Sequence, residues 1–222
     1  NETKTEKVIS SNQEKAKILC DYFSTVFNKD AGKEDVFSIN KQTQSMENLP
    51  ISTEDIIKRL NNLNIFKSPG PDLIHPRILK EVKEVIALPL KLIFDTSLSQ
   101  GVLPLDWRSG DITPIFKKGN KTSVENYRPI SLTSVVCKIL ESIIRDSVMK
   151  YFEENNLFNK RQYGFIKGKS TVSQLLNITD KWTEYLENGG QVDVIYTDLE
   201  KAFDKVPHKS LISKLKMYNI DS

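Results

Sequence analysis

The sequence is poor in the residues that build stapled or metal-held scaffolds. It has two cysteines, Cys20 and Cys137, and two histidines, His75 and His208, in 222 residues. That count excludes a disulfide framework and a cysteine-rich zinc module. Each histidine stands without cysteine or carboxylate at ligand spacing, so it reads as a turn or surface residue rather than a metal ligand. No run of about 18 apolar residues occurs, so no segment is built to cross a membrane as a helix. The opening residues lack the basic stretch and apolar run of a secretory leader. No two aspartates are adjacent anywhere. The chain opens on Asn1 rather than Met and closes at Ser222 just after an amphipathic run, and it is read as a piece of a longer polypeptide.

What is present is an ordinary soluble composition, 38% hydrophobic and 27% charged, enough for one domain or slightly more with a real core. The net charge of +3 conceals an uneven distribution. Residues 107–170 hold twelve Lys and Arg against six Asp and Glu, a local +6, leaving −3 for the remainder. A basic middle interleaved with Tyr127, Tyr151, Tyr163 and Phe165 suits a polyanionic partner. Charge alone equally describes a solvated basic surface.

Apolar spacing predicts a helix over 11–28 through Leu19, Tyr22, Phe23, Val26 and Phe27. Residues 28–50 are polar, end at Pro50 and read as a mobile linker. Ser52 is placed to cap a helix carrying Ile56, Ile57, Leu60 and Leu63. Lys67-Ser68-Pro69-Gly70-Pro71-Asp72 stops it, because the prolines remove donors and Gly70 permits positive φ. A longer helical pattern covers about 76–100, with Pro89 as the expected kink or break. Residues 111–116 and 127–132 read as two short strands around a basic, turn-rich loop, and their prolines confine them to sheet edges. Helices follow over about 134–152, 171–187 and 208–218, the second ended by Asn188-Gly189-Gly190. Between the last two, residues 191–197 alternate as a strand that delivers Asp198 at its end, the way a sheet holds a metal-binding oxygen rigidly. Locally, Asp198 also serves as a cap for the turn that follows.

The phosphate-loop pattern is a decoy, as the two lone histidines are. Gly164-Phe165-Ile166-Lys167-Gly168-Lys169-Ser170 invites a phosphate-loop reading, but only three residues separate the glycines where that loop needs four. Asp204 lies beyond Asp198 and reads as ordering a turn rather than binding metal.

The run Tyr196-Thr197-Asp198-Leu199-Glu200-Lys201-Ala202-Phe203-Asp204-Lys205-Val206 resembles the first catalytic motif of reverse transcriptases from non-LTR retrotransposons, the jockey-like group especially. Three further segments agree in order: residues 67–72, residues 111–132 with Asn126-Tyr127-Arg128-Pro129-Ile130-Ser131-Leu132, and Gln162-Tyr163-Gly164-Phe165 with Gly168, Ser170 and Thr171. The resemblance spans about 50–210 and favours this group over a group II intron maturase.

The resemblance implies an α+β fold of right-hand polymerase architecture. An N-terminal helix and linker would occupy 1–50 and a partial reverse transcriptase domain 51–222, with fingers over about 51–190 and the start of the palm over about 191–222. The implied chemistry extends a DNA primer on an RNA template with deoxynucleoside triphosphates and two Mg²⁺ ions. Asp198 would be the catalytic carboxylate and metal ligand, with the Leu199 carbonyl on the same ion. Lys117, Lys118 and Arg128 would clamp the triphosphate, with the inward-pointing lysine of the pair left open. Phe203 would sit beneath the sugar, or else be an ordinary core aromatic. Gln162, Gly164 and Phe165 would face the template.

The family's second catalytic element, an aromatic-Ala-Asp-Asp hairpin, is absent, and the chain stops 24 residues after Asp198. The expectation is therefore a truncated polymerase, lacking downstream palm and thumb and inactive alone, with an open sheet edge after the last strand. The alternative is a non-catalytic RNA-binding remnant of a decayed or co-opted element. No localisation signal is visible. The resemblance implies assembly with RNA in the cytoplasm and action in the nucleus.

Overall fold

In a computed structural model of the chain, residues 9–25, 45–46 and 49–220 are described. Helices dominate, with one two-stranded antiparallel sheet among the described residues, the mixed content expected. The chain divides into two compact units, one of Asn1–Met149 with Phe203–Ser222 and one of Lys150–Ala202.

The first unit is built where apolar periodicity is strongest. Helix α1 spans Asn12–Ser24 and buries Phe23, while the continuation expected to 28 and most of the linker lie outside the described residues. Of that linker, Met46 donates its backbone N–H to the Asn219 carbonyl at 2.9 Å. Helix α2 spans Thr53–Asn61, and Ser52 caps it by accepting the Asp55 N–H at 3.0 Å. Its Ile56 and Leu60 are fully buried. They meet Leu79 of α3 (Pro76–Glu81), Ala87, Leu90 and Phe94 of α4 (Lys83–Gln100), and Val135, Val136, Ile139, Leu140 and Ile143 of α5 (Val135–Glu154). Trp107 closes this core, its ring 5.8 Å from Phe94.

The helix break expected at Pro89 falls at Val82, between α3 and α4, and α4 runs through Pro89. Pro89 faces solvent, so the Val85 carbonyl that lacks an N–H partner can be met by water. The burial of Ala87, Leu90 and Phe94 on the opposite side holds the helix across the defect. His75 is a cap rather than a ligand: its Nδ1 accepts the Arg77 N–H at 3.2 Å.

Strands β1 (Gly110–Phe116) and β2 (Tyr127–Thr133) pair antiparallel, with Pro114 opposite Pro129. Both are edges, as their prolines require. The turn at 67–72 locks against the end of this hairpin. Gly70 is buried, and a Cβ there would lie 2.5 Å from the Thr133 carbonyl carbon and oxygen and 2.6 Å from the Ser134 nitrogen. The glycine is needed for this closeness and not for a left-handed backbone, since its φ is not positive. Asp72 then turns the chain by accepting the Ile74 N–H at 3.2 Å. Ser134, fully buried, accepts the Cys137 N–H as α5 begins. Farther along α5, Arg59 of α2 donates to Ser142 at 2.8 Å and to Asp146 at 2.9 Å. Burial pulls the Asp146 carboxyl up, but hydrogen bonds and charge from Arg145 and Arg59 outweigh it and hold the group below its ordinary value. Helix α7 (His208–Met217) is the last helix among the described residues.

The second unit is thinner. It contains the last turn of α5, where Phe152 packs 5.2 Å from Phe158, and helix α6 (Thr171–Glu187). Ser170 and Ser173 form a reciprocal cap at the start of α6, and none of its residues is buried. The strand expected over 191–197 is irregular. A strand needs a neighbour for its N–H and C=O groups, and among the described residues β1 and β2 pair only with each other.

Gly70→Ala is expected to lower stability by about 1–3 kcal/mol, because a methyl group must displace backbone rather than a flexible side chain. The measure is the urea midpoint. Thiol labelling of the native chain at neutral pH is expected to modify exposed Cys20 rapidly and Cys137 only on unfolding. Burial, then the charge and hydrogen bond of Glu141, push the Cys137 thiol up to about 11, so little reactive thiolate forms.

Candidate functional site

The hairpin places three of the expected residues in one region. Arg128 lies opposite Ile115 in the β1–β2 register. Lys117 continues the ladder one residue past β1, its N–H bonded to the Asn126 carbonyl at 2.8 Å. The period-two pleat therefore puts Lys117 on the face of Ile115 and Arg128. Lys118 follows in the bend. All three are exposed, and among the described residues no carboxylate pairs with them.

The tip that carries these cations is braced. Asn126 donates from Nδ2 to the Asn120 carbonyl at 2.9 Å, and Tyr127 donates its hydroxyl to the Lys121 carbonyl at 2.9 Å. On the opposite face Phe116 and Tyr127 meet edge to face at 5.6 Å, with the Lys121 ammonium 5.6 Å from the Phe116 ring centre. Gly119, at φ +89°, leaves no room for a Cβ, which would approach Asn126 Nδ2 to 2.7 Å. The side-chain bonds close a loop whose backbone alone would be loose.

Phe203 lies in the turns that precede α7 and is 77% exposed, so it is not a core aromatic here. In the second unit, Asp198 is exposed on irregular chain, followed by Leu199 at 78% exposure. No described strand pairs beneath it. Among the described residues no three His, Cys, Asp or Glu side chains gather to hold a metal ion.

Gln162, Gly164 and Phe165 are brought together in a loop of that same unit. Gln162 donates from Nε2 to the Gly164 carbonyl at 3.2 Å. Among the described residues nothing occupies the space a Cβ at Gly164 would take. Phe165 adopts a left-handed φ of +61° with its ring 86% exposed. Sequence reasoning missed the residues that shape this loop. Lys169 donates from Nζ to the carbonyls of Lys160 at 3.1 Å and Gln162 at 2.9 Å, and lies 5.1 Å from the Tyr163 ring centre. Asn177 of α6 donates to the Tyr163 hydroxyl at 2.7 Å. The Gly-Lys-Ser signal drew attention to Lys169, but as a phosphate-loop decoy.

Comparison with known proteins identifies the family. Residues 115–222 match the family described as reverse transcriptase (RNA-dependent DNA polymerase). The chain is 33% identical over 168 residues to the "Probable RNA-directed DNA polymerase from transposon BS" of Drosophila melanogaster, which covers 75% of this chain and 18% of that protein. It is 31% identical over 172 residues to the "RNA-directed DNA polymerase from mobile element jockey" of the same species, covering 76% of this chain and 19% of that protein. A third relative, the "Probable RNA-directed DNA polymerase from transposon X-element", is 29% identical over 73% of this chain and 18% of its own length. The chain thus spans under a fifth of these relatives. Its hairpin from Ile115 onward, the Gln162–Phe165 loop and the Asp198 segment all fall within the matched region, and over residues 115–222 the chain belongs to the reverse transcriptase (RNA-dependent DNA polymerase) family.

Proposed function

We propose that this chain is the fingers and the beginning of the palm of an RNA-directed DNA polymerase from a non-LTR retrotransposon. The fingers comprise about 51–190 and the start of the palm about 191–222, in a right-hand arrangement. The observation that carries this reading is the exposed cationic face of the braced hairpin, with Arg128 and Lys117 on one side of the pleat and no carboxylate paired with them among the described residues. A guanidinium there grips triphosphate oxygens as a bidentate fork, and the lysine adds a point charge. Lys118, at the bend, contributes charge without the register that the pleat gives Lys117. Phe203 presents an aromatic surface for the incoming sugar, where a ribose 2′-hydroxyl would clash. Gln162, Gly164 and Phe165 face the template strand. DNA primer and deoxynucleoside triphosphates complete the substrates.

The family's chemistry implies two Mg²⁺ ions, which would neutralise the developing charge of the transferred phosphoryl group. The Asp198 carboxylate and the Leu199 carbonyl are oxygen donors of the right type for a hard cation. They are one carboxylate of a set, and the described residues bring no second beside it. The residues of this chain alone therefore do not fit a two-metal site. We assign Asp198 as one member of a cage completed elsewhere in the polypeptide, and on this reading the chain by itself does not polymerise.

Two tests address this reading. In primer extension by the full-length polypeptide, Asp198→Asn is expected to abolish synthesis while leaving RNA affinity unchanged. Arg128→Ala is expected to raise the KM for deoxynucleotide about tenfold or more, the worth of a charged hydrogen bond. Unchanged synthesis with Asp198→Asn would reject the assignment of Asp198, and a wild-type polypeptide that binds RNA but never extends a primer would favour the RNA-binding remnant. For the 222-residue chain itself, affinity for single-stranded RNA is expected to fall at least tenfold between about 50 and 200 mM salt, as displaced counterions require. An affinity flat over that range would remove nucleic acid as the partner.

A further inference from the structure

Lys169 occupies a position where the sequence suggests a phosphate-binding lysine, and its ammonium is turned onto its own loop. An ammonium has three donors. Two bond the carbonyls of Lys160 and Gln162, at 3.1 and 2.9 Å, and the charge lies 5.1 Å from the Tyr163 ring centre. Lys169 is half-buried, whereas Lys160, Arg161 and Lys167 around it are exposed. Its own N–H closes the turn onto the Ile166 carbonyl at 3.2 Å. Tyr163, held on its face by this cation, is held at its hydroxyl by Asn177 of α6 at 2.7 Å. The ring is thus fixed from two directions, one within the loop and one on a helix that starts at the next residue but one.

The consequence falls on the three residues between these anchors. The Gln162 carbonyl accepts from Lys169, and the Gln162 side chain donates to the Gly164 carbonyl. Phe165 is left in a left-handed conformation that a phenylalanine adopts only under constraint, its ring out in solvent. An aromatic ring displayed in this way is a stacking platform for an unpaired base.

We propose that Lys169 is a positioning residue which, with Asn177, holds the 160–165 loop in the shape that meets the template, and that it does not itself contact phosphate. The proposal rests on the reading of Gln162, Gly164 and Phe165 as template-facing. Exposed Lys160, Arg161 and Lys167 supply the charge around the platform, and Lys169 supplies its shape.

The test uses the 222-residue chain, with amide hydrogen exchange over 160–166 and binding to a single-stranded RNA oligonucleotide at several salt concentrations. Lys169→Met is expected to speed exchange in the loop about tenfold and weaken RNA binding about tenfold, roughly the worth of one or two hydrogen bonds. The slope of log affinity against log salt should stay the same, because no phosphate contact is lost. Lys169→Arg should recover part of both effects, since a guanidinium can also donate to carbonyls and lie on a ring. Asn177→Ala should reproduce the pattern at smaller size. Lys167→Met should lower the salt slope by up to about one and leave exchange alone. If instead Lys169→Met lowers the slope like Lys167→Met and leaves exchange unchanged, Lys169 is a phosphate contact and the proposal is overturned. If Lys169→Met speeds exchange but Gln162→Ala, Phe165→Ala and Lys169→Met all leave RNA affinity unchanged, the clip is real and the template reading beneath it fails, taking the positioning role with it.

Discussion

The backbone of the 67–72 turn lies against the backbone where β2 gives way to α5, with Gly70 too close to Thr133 and Ser134 for any side chain between them. Much of the first unit is organised by that contact. It ends the excursion from α2, fixes the root of the hairpin, and includes Ser134, whose hydroxyl receives the Cys137 amide as α5 starts. Helix α5 then supplies five buried side chains to the same core that α2 and α4 fill. Close backbone packing of this kind is stiff, because backbone cannot move aside as a side chain can. A hairpin rooted on it can project cations into solvent without moving as a whole.

The hairpin and the 160–169 loop solve the same physical problem differently. Both must display cationic or aromatic groups away from a core. The hairpin does so with a ladder of strand pairing and a side-chain-braced tip. The loop has no ladder, and its shape comes from a lysine spent on two carbonyls and a tyrosine pinned by an asparagine. In each case a polar side chain closes backbone that lacks secondary structure.

Asp198 shows the opposite condition. Its segment has the alternation of a strand, yet Ile195 and Tyr196 are 88% and 86% exposed and no described strand lies beside it. Alternation states which face of a strand would be buried, but the strand itself exists only with a neighbour to bond. The relatives extend well beyond this chain's span.

Local chemistry therefore settled much of this molecule in advance. The Ser52 cap, the α6 helix over Thr171–Glu187, the α5 core face and the two proline-bearing strands were all legible from spacing and turn residues, because short-range sterics and side-chain periodicity act within a few residues. The motif residues were legible as residue types: Arg128, Lys117 and Lys118 as phosphate-binding types, Asp198 as a cation-binding type. Tertiary structure decided what spacing cannot encode. It moved the helix break from Pro89 to Val82, since a proline facing water is tolerated where buried residues hold the other side. It gave Gly70 a role in closeness rather than in φ, and it carried the pleat one residue past β1 to Lys117. It also turned Lys169 from a phosphate-loop decoy into the clasp of a loop. Each of these depends on which backbone comes to lie beside which, at Gly70 across more than sixty residues and at Lys117 and Lys169 across a single loop, and residue spacing alone does not encode that.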